Sequence, residues 1–232
     1  MVSRFFVFLL IAGVGAIFAA LLAGYVPDHE LNLTARYYAE NTVRDTGAAN
    51  IVAAIVVTYR GLDTLGEVTV LFLTAAIVGL VLAGSQHHGT HRREVPVSGE
   101  LLVTGARLLV PLILLLGVYV FVNGHLTPGG GFQGGAILAS AILLLLLADP
   151  VREFSHRLIS AIESTSGLIF VGIGALGIIY AGGFLDNRIL PLGRLGELFS
   201  AGAIPVIYSF IGLKVGAEFS SMLVDLSETE EP

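Results

Sequence analysis

Apolar positions along this chain run in long blocks, without the alternation of a half-buried strand or the narrow stripe of a soluble helix. A helix rises 1.5 Å per residue, so about 20 apolar residues cross the hydrocarbon of a bilayer. Blocks of roughly that length fall at residues 5–25, 63–83, 105–122, 133–148, 166–184 and 200–226. They predict an all-α integral membrane protein with about six transmembrane helices. The first block follows Arg4 and resembles a secretory signal, but a signal core is usually ~7–15 residues and this run is longer. With Met1 at its head, we read it as a retained first span.

The stretch from residue 47 to 84 is too long for one span, and Gly61, Gly66 and the charges Arg60, Asp63 and Glu67 interrupt it. Two readings follow. Either residues 48–59 form a short interfacial or re-entrant helix before a span that starts near Asp63, or the charged cluster lies inside the membrane. In both, Asp63 and Glu67 share a helix face and Arg60 stands one turn before Asp63. Arg60 can then neutralise Asp63 and leave Glu67 as the titratable group. Acidic residues also suit the first turn of an ordinary span, so the spacing alone leaves both roles open.

Between the third and fourth blocks runs Gly124-His125-Leu126-Thr127-Pro128-Gly129-Gly130-Gly131-Phe132-Gln133-Gly134-Gly135. Pro128 and the run Gly129, Gly130 and Gly131 cannot continue a helix, so the backbone opens here. Open backbone at membrane depth is tolerated only against protein or a wet cavity. The glycine amides are either donors for an anion, water or partner carboxylate, or parts of a tight turn with close helix packing. His125 is either a proton relay or a hydrogen-bonded structural residue.

Lys214 interrupts the last block, with Glu218 at i+4 on the same face. An ammonium in hydrocarbon must pair, snorkel or line water. The pair is either a neutralised bridge or a means of tuning a carboxylate on another subunit. Small residues recur at Ala12, Ala16, Ala20 and Gly24 in the first block, and at Gly167, Gly172, Gly174 and Gly177 in the fifth. Such faces let helices approach closely.

Composition agrees with this picture. Apolar residues make up 55%, charged residues 13%, and mean hydropathy is +0.86. The Cys count of zero excludes disulfides, cysteine nucleophiles and cysteine-ligated iron–sulfur clusters within this chain, so a redox centre would belong to a partner. A net charge of −6 without a basic stripe does not point to nucleic acid. No resident cofactor or metal is expected; His87, His88 and His91 cluster in a polar stretch but lack a clear fourth ligand. Gly129-Gly130-Gly131 lacks the Gly-Lys-Ser/Thr ending of a phosphate loop. Asp186, Asn187 and Arg188 read as a polar connection, and residues 227–232 as a solvated acidic tail. Arg4, Arg92, Arg93, Arg152 and Arg157 fall on one side of the predicted spans, and Arg36, Arg44, Arg188 and Arg194 on the other. This small bias places both termini in the cytoplasm.

The segment around Pro128, with its flanking His125 and Gln133, resembles the B subunit of the Mrp-type (Mnh-type) cation/proton antiporters. So does Gly212-Leu213-Lys214-Val215-Gly216-Ala217-Glu218-Phe219-Ser220-Ser221. Tyr37-Tyr38, Thr46-Gly47-Ala48-Ala49-Asn50 and Tyr59-Arg60-Gly61-Leu62-Asp63-Thr64-Leu65-Gly66-Glu67 resemble the C-terminal region of the large Mrp A subunit. That region occurs separately as the small E subunit of membrane-bound hydrogenases, where the usual pattern has Phe at the position of Leu62. The resemblance implies three parts: a two-span E-like segment at 1–84, a polar linker at 85–100 and a four-span B-like domain at 101–232.

It further implies a non-redox transporter subunit in the cell membrane, partnered by other Mrp-type subunits, including large antiporter-like ones, with Na⁺ and H⁺ as the ions. Glu67, assisted by Asp63, would carry or gate the cation, with Lys214, Glu218 and His125 shaping the adjacent wet path. Two other roles remain open: an ion-translocating subunit of a hydrogenase or related respiratory complex, and a purely structural assembly subunit.

Overall fold

A computed structural model describes residues 2–25, 30–85 and 98–230. The expected cluster of His87, His88 and His91, together with Arg92 and Arg93, lies outside the described residues. The helices are α1 (Val2–Ala23), α2 (Leu33–Thr46), α3 (Ile51–Ala54), α4 (Gly61–Ser85), α5 (Glu100–Val122), α6 (Gly131–Ala148), α7 (His156–Tyr180) and α8 (Ile204–Glu230). Six of these are long and apolar enough to cross a membrane. By its contacts the chain divides into residues 1–37 and 38–232. In the first unit, residues 5–23 of α1 are exposed along their whole length.

Several boundaries differ from the hydropathy blocks. The fifth block was expected at 166–184, but α7 begins at His156, because the Ser155 side chain accepts the Leu158 amide and caps a polar first turn. It stops at Tyr180, and the chain turns at Gly182 (φ 98°) so that Phe184 folds back onto Gly174. The sixth block starts at 200, but α8 starts at Ile204, because Ala201 (φ 60°) and Gly202 (φ 58°) adopt left-handed conformations before it. Helix α2 has no apolar block and left no trace in the hydropathy pattern.

The short helix expected at 48–59 forms as α3 followed by one wide π-turn, Ile55–Tyr59. Ile55, Val56, Val57 and Thr58 in this turn are β-branched, which lowers their α-helix propensity slightly. Thr64 Oγ1 donates to the Val56 carbonyl at 2.5 Å. Arg60 (φ −127°, ψ 40°) ends the turn, and α4 begins at Gly61. A Cβ at Gly61 would meet Leu185 Cβ at 2.9 Å, so this approach requires glycine. One face of the segment belongs to the core, with Ala53, Ala54 and Val57 fully buried, while Val52 is exposed.

The main core joins Ala48, Ala53, Ala54 and Val57 to Val68 of α4, Phe170 of α7, Leu185, Ala201 and Ala203 of the α7–α8 connection, and Ile204, Ile207, Ile211 and Val215 of α8. Helix α8 is the hub. It packs against α6 and α5 through glycine notches, where a Cβ at Gly135 would stand 2.7 Å from the Gly212 carbonyl and one at Gly212 2.5 Å from the Phe121 ring. Helix α6 meets α5 in the same way, a Cβ at Gly134 standing 2.7 Å from the Gly117 carbonyl. The α5–α6 contact continues through Ala106, Val110, Ala141 and Ala148.

Candidate functional site

Pro128 and the glycines beside it leave loop carbonyls without helical partners, and Asn50 supplies them. Its Nδ2 donates to the Gly124 and Thr127 carbonyls at 2.8 and 2.9 Å. The His125 carbonyl accepts from the Ala49 and Asn50 amides, both at 3.0 Å. Asn50 Oδ1 meanwhile accepts from the Val52 and Ala53 amides and caps α3. One side chain thus closes the broken loop and starts the buried short helix. Gly129 (φ 145°) and Gly130 (φ 154°) take the positive φ that the turn needs. Gly131, Gly134 and Gly135 serve close packing against α5 and α8. Gln133 is exposed.

The His125 ring is fully buried. With its proton on Nε2 it donates to the Glu197 carbonyl at 3.4 Å. Burial holds its pKa below the ordinary value, against the opposing pull of the Glu197 and Val122 carbonyls. This geometry fits the hydrogen-bonded structural reading of His125 better than a relay.

The α7–α8 connection is organised by Asn187. Its Nδ2 donates to the Thr46 carbonyl at 2.7 Å and to the Ala201 carbonyl at 2.9 Å, and its own carbonyl accepts from the Ala203 amide at 3.0 Å. Beside it, the Asp186 carboxylate takes a forked contact from Arg188. Burial raises the Asp186 pKa, but the Arg188 hydrogen bonds and charge outweigh it, and the net shift is downward.

Arg60 and Asp63 pair at 2.6 Å, and both are about half exposed. Glu67 is exposed in the second turn of α4 and has no ion pair among the described residues. Its charge acts on the Tyr208 hydroxyl. The Tyr208 ring packs on the broken loop, where a Cβ at Gly124 would meet it at 2.8 Å.

Lys214 and Glu218 sit deep in the bundle, at 8% and 0% exposure, with Nζ 2.7 Å from Glu218 Oε1. Glu218 Oε2 is buried without a hydrogen-bond partner. Nζ also stands 3.9 Å from Glu163 Oε1 on α7 and 5.1 Å from the centre of the Phe72 ring on α4. A cavity of about 270 Å³ opens among α4, α7 and α8 beside these charges. Glu163, Ser164, Lys214, Thr69 and Phe72 line it. At 3.6 residues per turn, Glu67 points roughly away from the α4 residues on this cavity, so the two charge clusters occupy opposite flanks of α4.

The structure therefore brings Lys214, Glu218 and Glu163 together, leaves Glu67 exposed on another flank of α4, and uses His125 to fasten the broken loop. Sequence reasoning missed Glu163 because the predicted span began at 166 and left it in a connection. It missed Asn50 and Asn187 because their partners are backbone carbonyls distant in sequence. A further group was unforeseen: His156 Nε2 lies 2.6 Å from Glu228 Oε1, with Asp225 alongside, and links the start of α7 to the end of α8.

Comparison with known proteins shows which families and structures the chain is similar to. A family model described as a domain related to the MnhB subunit of Na⁺/H⁺ antiporters matches residues 101–221, and a model for the E subunit of MBH (MbhE) matches residues 3–84. An uncharacterized protein of Methanocaldococcus jannaschii is 32% identical over 203 residues, covering 77% of each chain. The B subunit of a Na⁺/H⁺ antiporter of Bacillus subtilis is 36% identical over 88 residues, covering 38% of this chain and 56% of that one. Among solved structures, a chain of the membrane-bound sulfane sulfur reductase, an archaeal respiratory membrane complex, superposes with a TM-score of 0.80 at 41% identity, covering 97% of this chain and 98% of that one. A chain of the Mrp complex from Dietzia sp. DQ12-45-1b gives 0.79 at 31% identity, covering 99% of this chain and 27% of that much longer one.

Proposed function

This chain belongs to the family of domains related to the MnhB subunit of Na⁺/H⁺ antiporters, and from that premise we propose that it is a non-redox membrane subunit of a monovalent cation/proton antiport module, with Na⁺ as the cation. It acts in the ion pathway and in assembly, alongside large antiporter-like subunits, in the cell membrane. The observation that carries the pathway role is the Glu163–Lys214–Glu218 cluster beside an open cleft among α4, α7 and α8. Ionisable groups at such positions pair with one another and mark ion or proton routes.

Glu67 is the second candidate. Arg60 already neutralises Asp63, so Glu67 is the carboxylate of that trio left to meet a cation or a neighbouring subunit. Its exposure favours a path along the boundary with a partner over one confined to this chain. The test is Na⁺-driven proton flux in vesicles that hold the assembled complex. Glu67→Gln should slow exchange without changing subunit content; normal assembly with wild-type exchange would contradict the assignment.

A specific observation favours a second setting for the same module. The respiratory-complex chain matches this one over nearly its whole length at 41% identity. In that setting redox partners would drive the ion movement, and this chain would keep the same role without a redox group of its own.

A further inference from the structure

We propose that Glu163, Lys214 and Glu218 form a proton-binding site in which Glu163 takes up the proton from the α4–α7–α8 cavity and Lys214 shifts its pairing between the two carboxylates. The inference deepens the ion-pathway reading and rests on it. Three observations carry it.

The first is charge balance. One ammonium faces two carboxylates, at 2.7 Å and 3.9 Å, so the cluster holds one negative charge too many for a buried position. The charges that act on Glu218 are those of Lys214 and Glu163. Among the cavity-lining residues, α4 contributes Leu65, Val68, Thr69 and Phe72, none of them charged. Helix α6, which also packs on α8, carries no titratable side chain.

The second is an unmet acceptor. Glu218 is fully buried, and its Oε2 has no hydrogen-bond partner although Oε1 is held by Lys214. A neutral Glu163 would release Lys214 wholly to this carboxylate, whereas an ionised Glu163 competes for the ammonium. The cluster therefore has two arrangements distinguished by one proton.

The third is access. Glu163 and Lys214 line the cavity and Glu218 does not, so a proton that arrives through the cavity meets Glu163 before Glu218. The cavity's lining is mostly apolar, and Glu163 and Lys214 are the charged groups in it. In the uptake step, hydronium gives its proton to the Glu163 carboxylate, an O–H bond forms there, and water is left behind. A sodium ion suits the place less well, because the Lys214 ammonium already stands between the carboxylates and would repel a second cation.

Infrared difference spectroscopy of the assembled complex across acidic pH steps reads this site without turnover. Acidification should give a protonated-carboxyl stretching band with one component that persists in Glu67→Gln and is missing in Glu163→Gln. Survival of the full band in Glu163→Gln overturns the proposal. Should Glu163→Gln fail to assemble, Glu163→Asp is the second variant: it must shift the band, and an unmoved band overturns the proposal equally. Sodium added at fixed pH should leave the band unchanged; its loss on sodium addition would overturn the choice of proton over sodium. Failure of this experiment removes the proton site alone, because subunit composition and Glu67-dependent flux test the antiport-module reading separately.

Discussion

Gly167 and Lys214 are fitted to each other: a Cβ on Gly167 would stand 3.3 Å from Cδ of Lys214 and 3.5 Å from Cε. The bare backbone of α7 is thus the wall along which the lysine stem reaches its two carboxylates. This gives one glycine of the α7 small-residue face a definite job. Gly174 and Gly177 have another, since they receive Phe184 and the backbone of Gly183 and Asp186 from the chain's own returning loop. Gly172 meets nothing within 4 Å.

Gly167→Ala should crowd the Lys214 stem, which must yield by a few tenths of an ångström, and should lose the helix gain of about 0.5–1 kcal/mol that alanine brings elsewhere. Gly172→Ala meets no neighbour and should stabilise the helix slightly, by about 0.5–1 kcal/mol. Thermal unfolding in mild detergent compares the two, and equal effects would remove the specific Gly167–Lys214 contact from the account.

Removing the ammonium tests how strongly the buried pair is coupled. Lys214→Met leaves Glu218 buried and uncompensated, and should cost about 3–5 kcal/mol. Adding Glu218→Gln should recover much of that loss, because the orphaned charge goes with it. Additive losses across the double-mutant cycle would show that the two residues do not act as a pair.

Much of this was legible in advance, for reasons that can be named. Six apolar blocks gave six helices, and the i,i+4 spacing of Lys214 and Glu218 and the one-turn spacing of Arg60 and Asp63 gave their pairings. Those signals are local and periodic. Glu163 was hidden because a capped, polar first turn masks the true start of α7. Asn50 and Asn187 were hidden because their contacts close loops of 74 and 141 residues, which no local pattern encodes. The burial of the short helix at Ile51–Ala54 was also out of reach, since Ala and Val at those positions suit an interface as well as a core.

Asn50→Ala should release the broken loop. It removes two donors to buried-side carbonyls and the α3 cap together, a loss of about 1–3 kcal/mol for the carbonyls alone. Hydrogen exchange should quicken first at the amides of Ala49, Asn50, Val52 and Ala53. Unchanged protection there would contradict the role assigned to Asn50.

His125 supplies a pH test with a definite sign. Burial lowers its folded pKa from the ordinary 6.5, so the folded protein binds the proton less readily than the unfolded chain. Its neutral form contributes full stability above that ordinary value. The contribution falls as the pH drops below it, until the folded pKa is passed. His125→Asn should flatten this part of the stability profile, measured as Tm against pH; an unchanged slope would mean that another group sets it.

The central claim is that this chain works as one component of a cation/proton translocating assembly. It is tested most directly by mass spectrometry of the complex that copurifies with it in mild detergent. Large antiporter-like subunits should appear in fixed proportion to this chain, with or without metal-bearing partners according to which setting holds. A chain that purifies alone, or with no antiporter-like partner, would contradict it.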